Sequence, residues 1–275
     1  MDIRERESKF GVVKILAIVV AYEPDMELLM RNIGSFAGSV DKVLLWQNSP
    51  VGGSWPDNVE LCGDGHNVGI SKALNYGWRR ASAEGYDFLL TMDQDSVWHG
   101  FEMFLGKVTT EGIFAPGVNA ACEDGLREHD LLFTSGMLVP VGVLDAVGGY
   151  REDFFVDGID NDLVFHARSL GFSTWLVGGC YLEHSLGHRE VRRVLGRDVT
   201  TYNYSPARLY GIYRNNIIVI RSYPGTGHLR RTFLKSWIWR HPLQILLAES
   251  GRCKKFRAIW LGLIDGLLGR PPRQP

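Results

Sequence analysis

An apolar run broken only by Lys14, Val12 to Tyr22 (VVKILAIVVAY), constrains this chain more than any other feature of its 275 residues. Its β-branched residues follow one another without the period-two alternation of a strand that has one wet face. Such a run reads as a strand covered on both sides, the kind found in parallel sheets between helical layers. The next segments repeat the theme. Residues 24–40 (PDMELLMRNIGSFAGSV) place Leu28, Leu29, Ile33 and Phe36 at helical spacing, with Pro24 suited to a first turn. Residues 41–50 (DKVLLWQNSP) form a second strand ending in turn residues, 69–87 an amphipathic helix, and 88–96 (FLLTMDQDS) a third strand. Strand and helix in alternation predict an α/β fold with a mostly parallel, helix-covered, nucleotide-binding sheet.

Beyond residue 96 the pattern loosens into a mixed half. Short strands are expected in GIFAPGVNA (112–120) and in LLFTSGMLVPVGVLDAVGG (131–149), the latter running into a helix that stops at Gly148 and Gly149. Residues 159–171 (IDNDLVFHARSLG) read as a helix, 172–184 (FSTWLVGGCYLEH) as a strand ending at His184, and 207–223 as a helix. The charged stretch 189–206 (REVRRVLGRDVTTYNYSP) has no clear period and reads as a loop or lid. The chain shows no internal repeat and no low-complexity segment.

Composition is that of an ordinary globular protein, 45% hydrophobic and 22% charged, which excludes a disordered chain. Its four cysteines stand dozens of residues apart, without the close pairs that metal and redox motifs use. The short apolar run after a leader of mixed charge, with no small-residue cleavage site, points to a cytoplasmic protein. Charge is distributed unevenly. From Arg221 onward there are 11 Lys and Arg against 2 Asp and Glu, while the first 220 residues carry 19 against 29, so a segment of +9 follows a body of −10. Two units are therefore expected, residues 1–220 and a basic amphipathic helical tail, 221–275. The tail interleaves its bases with Trp237, Trp239, Phe256, Trp260 and many leucines, which suits a membrane surface better than nucleic acid. No apolar run reaches the roughly 18 residues of a spanning helix. A helical pair packed on the domain is the alternative.

Asp93 and Asp95 close the third predicted strand, at the edge where parallel sheets bind ligands. On extended backbone, with Gln94 between them, the two carboxylates would share a face and could hold one hard divalent cation, Mg²⁺ or Mn²⁺, against a diphosphate. Alone the pair would equally suit a helix cap or turn. A second acidic group, Asp157, Asp160 and Asp162, opens the helix at 159; acids there suit the helix dipole as well as catalysis.

In order along the chain, HNVGISKALNYG, EGYDFLLTMDQDS, TSGMLVP, GGYREDFFVDGIDNDLVFHARSLG, YLEHSLG and YSPARLYGIYRNNIIVIRSY resemble inverting glycosyltransferases of family 2, above all rhamnosyltransferases that use dTDP-L-rhamnose. The resemblance covers roughly residues 13 to 268 and implies a GT-A fold whose second half builds the acceptor site. It makes Asp93 and Asp95 the metal and diphosphate aspartates, with Gln94 fitting the rhamnosyltransferase version, and Asp160 the base, with Asp162 matching the acid that follows it. It makes His184 a metal or diphosphate ligand, with His188 as a substitute. Ile159 departs from the commoner Glu-Asp form of the base motif.

For the nucleotide, the resemblance points to Tyr22 and Glu23 after the first strand and to Gln47 and Asn48 after the second. Glu23 replaces an amide usual in the family, and Gln47 replaces an aspartate. Asn67, Gly69 and Asn75 match residues that shape the sugar-nucleotide floor, and Arg208 and Arg214 match a region positioned to meet diphosphate charge. The expected activity is metal-dependent transfer of L-rhamnose from dTDP-β-L-rhamnose to a hydroxyl of a surface polysaccharide or lipid-linked glycan, at the inner membrane face. The rival readings are the same scaffold with a UDP-sugar, galactofuranose or an N-acetylhexosamine, and a catalytically silent binding relative. A nucleotidyltransferase would want a glycine-rich phosphate loop near the N-terminus, and AYEPDMELL has none.

Overall fold

The structure is a computed structural model; it describes residues 13–109, 111–184, 190–194 and 196–273. The charged leader and His188 lie outside the described residues. In chain order the elements are β1 (Ile15–Ala21), α1 (Met26–Gly34), a 3₁₀ turn (Ala37–Ser39), β2 (Lys42–Gln47), β3 (Val59–Cys62), α2 (Ile70–Glu84), β4 (Phe88–Asp93), β5 (Ser96–His99) and α3 (Phe101–Leu105). The second half continues with β6 (Ile113–Val118), β7 (Leu126–Glu128), β8 (Met137–Pro140), α4 (Val141–Val147), α5 (Ile159–Ser169), β9 (Thr174–His184), β10 (Glu190–Val194) and β11 (Arg197–Thr201). Helices close the chain: α6 (Pro206–Ser222), α7 (Gly227–Thr232), a π-wound stretch (Phe233–Arg240), α8 (His241–Ala248) and α9 (Arg252–Leu268).

Nine strands form one sheet in the order β3-β2-β1-β4-β8-β6-β9-β5, with β7 also on β9. β3, β2, β1 and β4 run parallel, and β8 joins β4 antiparallel. The apolar run that follows the leader contains the strand it resembles, β1. Along β1, Leu16, Ile18 and Val20 enter one core with α2, α4 and α5, while Ile15, Ala17, Val19 and Ala21 enter the other with α1 and α3. Both faces are thus dry, which is why the sequence does not alternate. Truncating Leu16, fully buried, to Ala would cost about 2–5 kcal/mol.

The fold amends the sequence reading at three points. Val59–Cys62, unassigned in the sequence, is an edge strand parallel to β2; at four residues it is too short to show a period. Pro24 precedes the helix instead of starting it: Asp25 is the cap, its carboxylate accepting from the N–H groups of Glu27 and Leu28. The stretch read as a loop or lid holds an antiparallel hairpin, β10 paired with β11. A two-stranded ribbon outside the main sheet lacks the core-facing alternation on which strand recognition depends.

The chain reverses direction through the sheet between β1 and β4: β2 and β3 lie to one side of β1, and β4 to the other. A cleft opens at such a switch point, beyond the carboxyl ends of the strands. Val20 of β1 pairs with Asp93 of β4, so the end of β1 and the acidic pair meet there.

The basic tail packs on the body. α9 runs along α6, and the approach is so close that a Cβ at Gly262 would stand 2.6 Å from the Tyr210 carbonyl oxygen and one at Gly266 would stand 2.7 Å from that of Arg214. Among the described residues, no helix is long and apolar enough to cross a membrane.

Candidate active site

The cleft has a volume of about 670 Å³ and draws on both halves of the sheet, on α5 and α6, and on the first turns of the tail. On one wall β4 ends at Asp93, and Gln94 and Asp95 form a turn before β5. The two carboxylates therefore converge through a turn, not through extended backbone. Gln94 is stitched to the end of β1 in both directions: its Oε1 accepts the Tyr22 N–H at 2.6 Å and its Nε2 donates to the Tyr22 carbonyl at 3.1 Å. That pairing fixes the turn and leaves the flanking aspartates to the cleft.

His184 arrives from the other half of the sheet. It ends β9 opposite Ser96 of β5, and its Nδ1 lies 3.3 Å from Asp95 Oδ1 and 2.8 Å from Ser96 Oγ. One ligand atom each from Asp93, Asp95 and His184 fall within 4.8 Å of one another. Two carboxylates and an imidazole so arranged fit a divalent cation. The electrostatics agree. Burial pushes the Asp93 carboxyl up to about 6, opposed by His184 and reinforced by Asp95. Burial pulls the His184 imidazole down, but Asp95 and Asp93 outweigh it and the net shift is upward.

Groups behind the cluster hold it in place, and sequence reasoning missed them. Asn32, buried on the core face of α1, donates through Nδ2 to the carbonyls of Asp93, at 2.8 Å, and Ser96. Ser135 Oγ accepts the Asp93 N–H at 3.1 Å and donates to Ser96 Oγ at 2.8 Å. Asn119 Oδ1 accepts the His184 N–H at 2.8 Å. Asn32 left a trace in the sequence, an amide beside Leu29 and Ile33 on an apolar helical face. The two serines left none.

The opposite wall is the start of α5. Gly158 precedes it at φ 85°, a value that favours glycine, and Asp157 and Asp160 line the cleft on either side. Arg208 of α6 grips Asp157 in a fork, with Nε and Nη2 both 3.2 Å from Oδ1, and lies 4.7 Å over the Tyr204 ring. Among the described residues, Asp160 has no such cation. Its Oδ1 accepts the Asn161 N–H at 2.8 Å, yet burial drives its carboxyl up to about 6, with Asp157 and Asp93 adding repulsion. A carboxylate poised near neutral pH in a cleft is suited to take a proton.

Of the residues expected to meet the nucleotide, Tyr22, Asn48, Asn67 and Gly69 line the cleft. Asn48 Oδ1 accepts from the Val68 N–H and Asn67 Oδ1 from the Gly69 N–H. Gly69 must be glycine: it sits at φ 84°, and a Cβ there would meet the Phe155 ring at 2.6 Å.

Five expected residues stand back from the cleft, so the expectation of a direct role for them is corrected. Asp162 points into the interior, its carboxylate accepting from the Tyr223 hydroxyl at 3.1 Å and lying 3.8 Å from Arg151. Arg214 is buried and consumed by Asp153 at 2.6 Å and the Arg270 carbonyl at 3.0 Å; Arg208, earlier on α6, faces the cleft instead. Asn75 exchanges hydrogen bonds with the backbone of Tyr150. Gln47 accepts from the Val51 N–H. Glu23 is exposed at φ 46°, its N–H donating to Ser49 Oγ. Helical and turn periodicity assign a residue to an element, but which way it faces depends on neighbours distant in sequence.

No family model matches the chain. In sequence it is 23% identical over 292 residues to the dTDP-rhamnosyl transferase RfbF of Shigella flexneri, across 93% of this chain and 96% of that protein. In structure it resembles GalNAc-T7 solved with UDP, GalNAc and Mn²⁺, with a TM-score of 0.60 and 11% identity over 96% of this chain; it spans only 59% of that protein's chain. It also resembles S. aureus TarS, with a TM-score of 0.56 and 13% identity, over 92% of this chain and 81% of that one. The fold is GT-A, and fold, site and sequence relative together define a glycosyltransferase. Within that class its sequence is similar to a dTDP-rhamnosyl transferase.

Proposed function

We propose that the chain is an inverting, metal-dependent glycosyltransferase that moves L-rhamnose from dTDP-β-L-rhamnose to a hydroxyl of a surface polysaccharide or lipid-linked glycan. The observation that carries the reading is the pairing, within one cleft, of a cluster suited to a divalent cation, Asp93, Asp95 and His184, with a buried carboxyl on the facing wall, Asp160, that has no Arg or Lys paired to it among the described residues. The named sugar donor is supported by the likeness to the Shigella rhamnosyl transferase.

Asp93, Asp95 and His184 would hold the cation, which when bound supplies positive charge to the diphosphate leaving group. Asn48, Asn67 and Gly69 provide backbone approach and amide groups on the nucleotide side, and the exposed Tyr22 ring can cover a base. Asp160 removes the proton of the attacking hydroxyl from the side opposite the leaving group, and one displacement inverts the anomeric carbon. Arg208, held by Asp157 in the free protein, supplies guanidinium charge close enough to influence Asp93. The basic tail from Arg221 is assigned to the inner membrane face, where lipid-linked acceptors are presented.

Titration calorimetry of dTDP, UDP and GDP, with and without Mn²⁺, tests the reading. Metal-dependent preference for dTDP, lost in Asp95→Ala, is the expected result. Preference for UDP keeps the enzyme and discards rhamnose, a reading supported by the likeness to TarS solved with UDP-GlcNAc. Binding of no nucleotide leaves a catalytically silent relative.

A further inference from the structure

The helical run from α7 through α8 is apolar on two opposite sides. Inward, Leu229, Phe233, His241, Ile245 and Ala248 are buried, and Leu229, Thr232, Phe233 and Trp237 form part of the cleft wall. Outward, Leu234, Trp239, Leu243, Leu246 and Leu247 are exposed, Trp239 at 75% and Leu243 at 55%. The five-residue step from Leu234 to Trp239 fits the π winding between them, and Trp239, Leu243, Leu246 and Leu247 continue at helical spacing as one stripe. A soluble surface rarely leaves so many large apolar side chains together unpartnered.

The charges around the stripe indicate what covers it. The tail's only two acids are both withdrawn into the interior: Glu249 pairs with Lys255 at 2.6 Å, and Asp265 with Arg273 at 2.6 Å. Arg230, Arg231, Lys235, Arg240, Arg252, Lys254 and Arg257 remain exposed. The exposed side chains of the tail are thus rich in tryptophan, leucine and cations, with Lys235 and Arg240 flanking the stripe in sequence. A second copy docking the same face across a two-fold axis would set these cations against each other. An anionic bilayer accepts both the apolar stripe and the bases, with tryptophan at headgroup depth.

We propose that the outward face of the α7–α8 run docks on an anionic lipid surface, with Trp239, Leu243, Leu246 and Leu247 inserted and Lys235 and Arg240 at the headgroups. This deepens the proposed transfer to a lipid-linked acceptor and rests on it for its purpose: since the first part of the same run, Leu229 to Trp237, walls the cleft, docking brings that wall within about one helix diameter, roughly 10 Å, of the bilayer. A lipid-linked acceptor then reaches Asp160 without leaving the membrane.

The full chain is sedimented with vesicles of phosphatidylcholine alone or of phosphatidylcholine with an equal part of phosphatidylglycerol, beside the double variant Trp239→Ser, Leu243→Gln. Binding to the anionic vesicles, weaker on the neutral ones, and reduced at least about tenfold in the variant is the expected result. The variant's thermal midpoint should be unchanged, because both side chains are exposed; Lys235→Gln with Arg240→Gln should weaken binding to anionic vesicles alone. Binding to neither vesicle, or binding that the double variant leaves intact, overturns the proposal. So does a dimer in light scattering that the double variant dissociates without vesicle binding, which would assign the stripe to a second copy. Nucleotide calorimetry on the same preparation separates the two readings, since vesicle binding without nucleotide binding keeps the surface and removes the enzyme.

Discussion

The two walls of the cleft are both acidic, but they treat their carboxylates differently. At the end of β4, Asp93 and Asp95 crowd together with only an imidazole between them and no Arg or Lys paired to them among the described residues. At the start of α5, Asp157 is clamped by Arg208, and Asp160 has, among the described residues, only backbone N–H donors and no paired Arg or Lys. Crowded carboxylates repel unless a cation joins them; an isolated buried one simply holds its proton longer. The difference suits one wall to a cation and the other to a proton, the roles proposed for them.

The largest expected effect is at Asp160, the proposed proton acceptor. Asp160→Asn should lower turnover by about 10²–10⁴-fold in a donor-consumption assay while leaving Mn²⁺-dependent nucleotide binding intact; loss of that binding would erase the distinction between the walls. The same variant should be no less stable at pH 8, because the amide oxygen can still accept the Asn161 N–H while an ionised buried carboxylate is removed.

On the other wall, Asp95→Ala should weaken Mn²⁺ binding by at least about 10²-fold, and His184→Gln by about 10- to 100-fold, in calorimetry. Equal binding in all three proteins would mean that the cluster is structural. Behind it, Asn32→Ala should weaken metal binding by about tenfold through misplacement of the Asp93–Ser96 turn.

A pH series tests the contrast without mutation. Asp160 titrates near 6 in the folded chain, above the ordinary carboxylate range, so turnover should rise with pH through about 6 and level off above it. Stability follows the opposite sense. A carboxyl whose folded pKa is raised contributes stability that is fully present below its unfolded value, near 4, and is lost as pH rises through about 6. The thermal midpoint of the metal-free protein should therefore depend less on pH between 4 and 7 in Asp160→Asn than in the parent. Smallest of the set, Asp162→Asn should cost about 1–3 kcal/mol of stability through its contacts with Tyr223 and Arg151, with turnover changed far less than in Asp160→Asn. A loss of turnover as large as that of Asp160→Asn, in a folded protein, would transfer the base to Asp162.

Much of this was legible along the chain. β1 announced itself as a strand with two dry faces, α2 and α5 by their periods, and the ends of β4 and β9 by the polar residues that follow apolar runs. Asp93, Asp95, Asp160 and His184 all stand at such element ends, where local pattern and chemistry coincide. The hairpin of β10 and β11 was hidden because it buries no regular face. Asp162 and Arg214 were misjudged because each lies on a helix correctly recognised, yet faces inward.

Hydrophobic period, turn chemistry and charge are local properties of the chain, and they specify most of the elements, their α/β order and the split between an acidic body and a basic tail. Three outcomes needed the packed fold: the convergence of residues 93, 95 and 184, the meeting of Arg208 and not Arg214 with the cleft, and the two apolar stripes of the tail, one toward the core and one toward the outside. They depend on strand order and helix rotation, which are fixed by packing between residues far apart in the chain.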